Sequence, residues 1–78
     1  MRTLIVEDSR LARAELKHLL KAHPQVQVLG EASSVSEARE AIEALKPDLL
    51  LLDIHLDGGD AFELLDQLDH LPEVIFTT

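Results

Sequence analysis

The sequence predicts an α/β domain, in which a doubly wound parallel β-sheet carries helices on both faces. Short apolar segments alternate with longer segments of helical periodicity, in the order β-α-β-α-β-α-β. Strands that alternate with helices are joined by right-handed crossovers, so neighbouring strands run parallel. The segments TLIV and DLLLL are nearly continuous apolar runs, which is typical of strands buried on both faces of a sheet.

Four segments are predicted to be strands, because they are short, apolar and rich in leucine or β-branched residues. They are Thr3–Val6, Val26–Gly30, Asp48–Leu52 and Glu73–Thr78. The second of them contains Gln27, which favours a place at the edge of the sheet rather than at its centre.

Three helices are predicted between the strands, each with an apolar stripe that faces the sheet. In chain order the stripes consist of Ala12, Leu16, Leu19 and Leu20; of Ala38, Ala41, Ile42 and Leu45; and of Phe62, Leu65 and Leu68. The arginines and lysines of the first helix are expected on its opposite, solvent-facing side. Ser34 and Glu37 have the spacing of a capping box. Pro24, Pro47 and Pro72 mark the helix ends, because the residue before a proline disfavours the helical region.

The composition excludes several classes of function. The 78 residues carry a formal charge of −8, so we do not expect this segment to bind nucleic acid. The chain has no cysteine, which excludes a disulfide framework and a thiolate metal site. No apolar stretch is long enough for a membrane span or a signal peptide, so we expect a cytoplasmic location.

Acidic residues follow two of the predicted strands. Glu7 and Asp8 come after the first strand, and Asp53 comes after the third. Sites in open α/β sheets lie at the carboxyl ends of the strands, and if these two strands are neighbours, three carboxylates there would favour a bound Mg²⁺. Acidic residues also follow strands simply because loops are exposed to solvent, and Asp8 with Ser9 could cap the first helix. The coincidence at both strand ends favours the site.

These motifs together resemble a known family. LIVEDS followed by a basic amphipathic helix, then PDLLLLDIHL, then VIFTT, is similar to the receiver domain of bacterial two-component response regulators. The resemblance covers essentially the whole chain. It implies a flavodoxin-like, CheY-like fold with strand order 2-1-3-4. It also implies that residues 1–78 are the N-terminal part of a receiver domain, which would continue with a helix, a strand and a last helix.

The resemblance implies a phosphoacceptor site. Asp53 would take a phosphoryl group from a histidine kinase or a phosphotransfer domain. Glu7 and Asp8, together with Asp53, would bind Mg²⁺, and His55 would contribute its backbone carbonyl to the metal. We therefore expect a signalling phosphoprotein rather than an enzyme.

A hydroxyl at the end of the fourth strand would contact the phosphoryl group and move on activation. Thr78 is expected to have this role rather than Thr77, because side chains alternate along a strand. The sequence departs from the family pattern at Asp57 and Ala61, where proline and glycine are common. The lysine that pairs with the phosphoryl group in the family would lie in the segment that follows Thr78.

The expected partners follow from the same resemblance. The motifs DIHL and VIFTT are most similar to receivers joined to LytTR-type DNA-binding domains, so DNA binding and transcription regulation would belong to an output domain outside this chain. We expect a homodimer through the exposed edge or face of the sheet. The alternative is a receiver-like interaction fragment that takes no phosphoryl group. A flavin site is disfavoured, because the chain has no tyrosine or tryptophan to stack the ring.

Overall fold

The computed structural model describes residues 1–77 and confirms the predicted α/β architecture. Its elements in chain order are β1 (Arg2–Val6), α1 (Arg10–Leu20), β2 (Gln27–Ala32), α2 (Val35–Leu45), β3 (Leu49–Leu52), β4 (His55–Leu56), β5 (Gly59–Asp60), α3 (Ala61–Asp66) and β6 (Glu73–Phe76). The main sheet is parallel and has the strand order β2-β1-β3-β6. This is the predicted order 2-1-3-4, because β6 is the fourth strand of that sheet.

The second strand lies at the edge, as Gln27 indicated, but it runs further than predicted. We expected it to end at Gly30, and it continues to Ala32. Gly30 lies inside the strand, where the register with β1 shifts between Thr3 and Leu4. A β-carbon on Gly30 would lie 3.5 Å from the Leu45 side chain, so this position is closely packed against α2.

The central strands bury both faces, which explains their continuous apolar sequences. Leu4, Val6, Leu50 and Leu52 lie in the core cluster beneath α2 and α3. The residues between them point to the other face, where Ile5, Leu49 and Leu51 pack against Leu16 and Leu20 of α1. Alternate residues of a strand point to opposite faces, so a run of four leucines serves both layers.

The apolar face of α1 differs from the prediction. Leu16 and Leu20 pack on the sheet, but Leu19 is 64% exposed. Successive helical residues are rotated by about 100°, so Leu20 and Arg13 lie on one side of Leu16 and Leu19 lies on the other. The helix is turned toward Arg13, whose side chain is only 18% exposed rather than solvated as expected.

The apolar face of α3 also differs. Phe62 was expected in the stripe, but it is 56% exposed, and Ala61 and Leu64 are the fully buried residues. The Phe62 ring packs instead against Phe76, with ring centroids 5.8 Å apart. The Ala61 N–H donates to the Ile54 carbonyl at 2.9 Å, which draws the start of the helix against the chain after β3.

The start of α2 confirms the predicted cap with one variation. The Ser34 hydroxyl accepts a hydrogen bond from the Glu37 N–H at 3.2 Å. The Glu37 carboxylate accepts from the N–H and the hydroxyl of Ser33, one residue before the cap. These hydrogen bonds lower the pKa of Glu37. The helix ends at Leu45, and Lys46 takes the left-handed conformation before Pro47.

None of the helices within residues 1–77 combines the length and the apolar character needed to cross a bilayer.

The packing predicts very different costs for two leucine substitutions. Leu50→Ala removes a fully buried side chain and is expected to lower the free energy of unfolding by about 2–5 kcal/mol. Leu19→Ala removes a mostly exposed side chain and should change it by less than about 0.5 kcal/mol. Chemical denaturation followed by circular dichroism measures both. A large loss for Leu19→Ala would contradict the observed rotation of α1.

Candidate metal centre

The register of the two central strands brings their carboxyl ends level. Val6 is paired with Leu52, so the next residues along, Glu7 and Asp53, leave the sheet side by side. Two hydrogen bonds continue the ladder past the strand ends. The Asp53 N–H donates to the Val6 carbonyl at 2.9 Å, and the Glu7 N–H donates to the Ala32 carbonyl at 2.9 Å. The backbone of both acids is therefore held by the sheet.

Three carboxylates converge at this edge. One oxygen from each of Glu7, Asp8 and Asp53 lies within 4.8 Å of the others. Glu7 and Asp53 are buried, with 4% and 8% of their surface exposed, while Asp8 is exposed. The sequence predicted these three residues as metal ligands, and the structure brings them together.

The connection from β1 to α1 is held by short-range hydrogen bonds. Ser9 is the cap residue of α1, and its hydroxyl accepts from the Ala12 N–H at 3.2 Å. The Ser9 N–H donates to the Glu7 carboxylate at 3.0 Å. Ser9 thus caps the helix, as the alternative interpretation of this segment proposed, while Asp8 remains part of the acidic cluster.

A residue that the sequence analysis missed lies against the same connection. The Arg13 guanidinium donates to the Glu7 carbonyl at 2.7 Å and to the Asp8 carbonyl at 3.3 Å. We had placed this side chain on the solvent-facing side of the helix. The sequence could have indicated this contact, because Arg13 lies about one turn into α1 and that helix begins next to the acids.

The cluster fits a hard divalent cation. Octahedral Mg²⁺ with oxygen ligands at about 2.0–2.1 Å places neighbouring oxygens about 3 Å apart and opposite oxygens about 4.2 Å apart. The oxygens of the three acids lie within 4.8 Å of one another, a limit that slightly exceeds the distance between opposite ligands. Asp8 is exposed, so rotation of its side chain can close the difference. An all-oxygen set with one exposed side suits an ion that keeps several waters.

The three carboxylates of the cluster repel one another. Burial raises the pKa of Glu7 above its ordinary value of 4.5, and the hydrogen bond from the Ser9 N–H works in the opposite direction. The neighbouring carboxylates of Asp53 and Asp8 raise the pKa of Glu7 further. Like charges in a buried site destabilise one another, and a bound cation removes that penalty.

Of the two other predicted site residues, His55 contacts Asp53 and Thr78 is not among the described residues. The His55 N–H donates to an Asp53 carboxylate oxygen at 3.4 Å, and the His55 residue is exposed. Thr78, the predicted switch hydroxyl, lies outside the described residues. The Thr77 N–H donates to the Leu52 carbonyl at 3.0 Å. The Thr77 hydroxyl is buried and has no hydrogen-bond partner within residues 1–77.

The loop after Asp53 contains two short strands that the sequence did not predict. Strands β4 and β5 form a small antiparallel hairpin, with Leu56 opposite Gly59. Gly58 has φ of 82°, so a glycine takes the left-handed position of the turn. The departures at Asp57 and Ala61 leave this loop ordered, because Ala61 is buried and the Asp57 carbonyl accepts from the Val35 N–H at 3.1 Å.

Comparison with known proteins places these features in a family. The sequence model of the response regulator receiver domain matches residues 3–78. Over its full length the chain is 49% identical to the sensory transduction protein LytT of Enterococcus faecalis, of which it covers 34%. It is 41% identical to a protein-glutamate methylesterase/protein-glutamine glutaminase of Vibrio vulnificus, of which it covers 24%. The chain thus spans about a third and about a quarter of the length of these two relatives.

The fold is also found among solved structures. The response regulator domain of Thermotoga maritima CheB superposes with a TM-score of 0.86 at 33% sequence identity. The match covers 97% of this chain and 58% of that one.

The raised pKa of Glu7 leads to a pH-dependent stability. Between pH 4.5 and the raised pKa, the folded chain binds more protons at Glu7 than the unfolded chain does, so this residue's contribution to stability falls as pH rises. Glu7→Gln should therefore raise the unfolding midpoint at neutral pH without metal, by about 4–8 °C if the gain is about 1 kcal/mol. The gain should shrink as the pH approaches 4.5.

Thermal unfolding in a chelator at several pH values measures this gain. Glu43→Gln is the matched control, because that carboxylate is 71% exposed on α2. An equal gain at all pH values, or a loss of stability in Glu7→Gln, would contradict the account.

Proposed function

The chain belongs to the receiver domain family of two-component response regulators, and on this basis we propose that Asp53 is its phosphoacceptor. The phosphoryl donor would be the phosphohistidine of a histidine kinase or of a phosphotransfer domain. Glu7, Asp8 and Asp53 would hold Mg²⁺, with the backbone carbonyl of His55 as a further ligand. The observation that carries this proposal is the convergence of three carboxylates at the end of the central strands.

The chemistry needs a carboxylate that is held still and surrounded by compensating charge. An oxygen of Asp53 attacks phosphorus, and the bond from phosphorus to the donor nitrogen breaks with its electron pair returning to the imidazole. The product is an acyl phosphate. Transfer of this kind depends mainly on positioning and on neutralising the charge of the phosphoryl group, and Mg²⁺ supplies that neutralisation when bound.

The residues of this chain supply the positioning. Asp53 follows a strand whose residues are all buried, and its N–H donates to the Val6 carbonyl. The sheet therefore fixes the backbone from which the Asp53 carboxylate extends. The His55 N–H donates a long hydrogen bond to that carboxylate at 3.4 Å. Thr78 is proposed to contact the transferred group through its hydroxyl. Phosphorylation adds about −1.5 to −2 charge at pH 7, which would bias the position of such a hydroxyl.

The output of the signal is proposed to lie outside this chain. The chain covers 58% of a solved response regulator domain, and its relatives are about three to four times as long as the chain. We propose that residues 1–78 are the N-terminal part of the receiver and that a separate output domain follows. The resemblance of DIHL and VIFTT to receivers joined to LytTR-type domains favours a DNA-binding output and transcription regulation. The net charge of −8 disfavours nucleic-acid contacts by this segment itself. A cytoplasmic location and a role without catalytic turnover follow from this proposal.

Self-association is a second proposal, favoured by the exposed side of the sheet. Strand β6 lies at the edge of the sheet, and Ile75 and Phe76 on it are 54% and 43% exposed. For residues 1–78 on their own, a strand edge with exposed apolar side chains is a surface that can pair with a second copy, whereas in a longer receiver the following strand would cover it. An interaction fragment that pairs in this way without taking a phosphoryl group is the alternative function.

Phosphorylation of Asp53 gives the direct test. Incubation with a small phosphodonor and Mg²⁺ should add one phosphoryl group, detected by intact-mass measurement. The adduct should be absent in Asp53→Asn and without Mg²⁺. Asp57→Asn is the matched control and should still react, because this exposed aspartate lies in the turn that follows β4. An adduct that survives in Asp53→Asn, or no adduct in the unchanged chain, would contradict the proposal.

Sedimentation measurements test the self-association. The unchanged chain should show a concentration-dependent monomer–dimer equilibrium, and Ile75→Lys should shift it toward the monomer, because a charge at the edge blocks strand pairing. Leu11→Lys on α1, where the side chain is 70% exposed, is the control. A cooperatively folded monomer at all concentrations would exclude the dimer.

A further inference from the structure

Arg13 connects the acidic cluster to the edge of the sheet. Its guanidinium donates to the carbonyls of Glu7 and Asp8. The same group forms an ion pair with Glu31 on β2, with 3.3 Å between the Arg13 Nε and the Glu31 carboxylate. The Arg13 side chain is 18% exposed, so these contacts are partly shielded from solvent.

Glu31 is held from a second side. The Lys17 ammonium lies 2.8 Å from the other carboxylate oxygen of Glu31. Glu31 is also paired with Ile5 in the register of β1 and β2, so its backbone belongs to the sheet. Arg13 is therefore anchored by an acid that the sheet and a second cation both hold in place.

The two acids that Arg13 contacts differ in how their backbone is held. The Glu7 N–H is part of the hydrogen-bond ladder to Ala32, and the Glu7 residue is buried. Asp8 is exposed and lies between the end of β1 and the cap of α1. The carbonyls of Glu7 and Asp8 belong to the peptide groups on either side of Asp8. A donor that contacts both carbonyls fixes the direction in which the Asp8 side chain leaves the chain.

The shape of arginine suits this task. Its guanidinium is a planar fork with donors that point in fixed directions, and it keeps its charge at all relevant pH values. The Nη1 of Arg13 donates to both carbonyls while its Nε faces Glu31. A lysine ammonium is a compact point charge on a flexible stem and has no such fixed geometry.

We propose that Arg13 is a positioning residue, which holds Asp8 in the orientation required for Mg²⁺ and does not touch the metal. This inference rests on the proposed metal site. Partners behind the ligands of a metal site typically change the metal affinity by about 10–100-fold when they are removed. Arg13 contacts the ligand backbone rather than a ligand atom, so a change of about tenfold is expected.

The direction in which the Mg²⁺ affinity of Arg13→Gln changes distinguishes a positioning role from a purely electrostatic one. Arg13→Gln removes a positive charge next to a cation site, so charge alone would make Mg²⁺ bind more tightly. Loss of positioning makes Mg²⁺ bind more weakly. Lys17→Gln is the matched control, because it removes the same charge from the same ion pair with Glu31, and Lys17 does not contact Glu7 or Asp8. That variant should bind Mg²⁺ as tightly as the unchanged chain or slightly more tightly.

Titration calorimetry with Mg²⁺ and no phosphodonor tests the inference. Arg13→Gln should bind about tenfold more weakly, and Arg13→Lys should also bind more weakly although its charge is unchanged. Amide hydrogen exchange at Asp8 and Ser9 should be faster in Arg13→Gln without metal. The thermal unfolding midpoint of each variant identifies any variant that fails to fold. If Arg13→Gln fails to fold, Mg²⁺ binding by Arg13→Lys still tests the inference.

Two results would overturn the inference. One is Mg²⁺ binding by Arg13→Gln or by Arg13→Lys, in the folded state, that is as tight as in the unchanged chain. The other is equal weakening by Lys17→Gln, because Lys17 contacts neither Glu7 nor Asp8 and the effect would then not come from the contacts of Arg13 with their carbonyls. Failure of the unchanged chain to bind Mg²⁺ would instead overturn the proposed metal site, and the inference with it.

Discussion

The pairing of the two central parallel strands is the constraint on which the rest of the site depends. Their register makes β1 and β3 end at the same level, so Glu7 and Asp53 leave the sheet together and Asp8 follows beside them. The carboxylates repel one another, and the sheet nevertheless holds them close because the leucine and isoleucine core beneath fixes both strands. Folding thus creates a concentration of negative charge that a hard cation can relieve.

The two faces of the sheet support this site unequally. The face beneath α2 and α3 contains the larger buried cluster, and it fixes the level of the strands. The face beneath α1 is thinner, since α1 has no fully buried residue. Its inward side combines Leu16 and Leu20 with the polar contacts of Arg13, so the same helix packs on the sheet and holds the acid pair. Core packing and site geometry are therefore linked through the rotation of one helix.

Much of the fold could be predicted because two periodicities alternate clearly along the chain. The parallel sheet and the edge position of β2 followed from these patterns, whereas the strand order, and with it the meeting of the acids, was implied by the resemblance to receiver domains. The roles of Leu19, Phe62 and Arg13 could not be predicted, because they depend on how each helix is rotated on the sheet. Several rotations give an acceptable apolar stripe, and contacts with distant residues such as Glu31 and Phe76 select one.

If Glu7, Asp8 and Asp53 form one cation site, Mg²⁺ titration followed by amide chemical shifts will show it. Shift changes should concentrate at residues 7–9 and 53–55 and saturate with a single binding constant. Asp8→Asn should weaken that binding while the remaining spectrum stays unchanged. The account would be contradicted by shifts that concentrate at the other acidic turn, around Asp57, Asp60 and Glu63, or by no saturable change at the ends of β1 and β3.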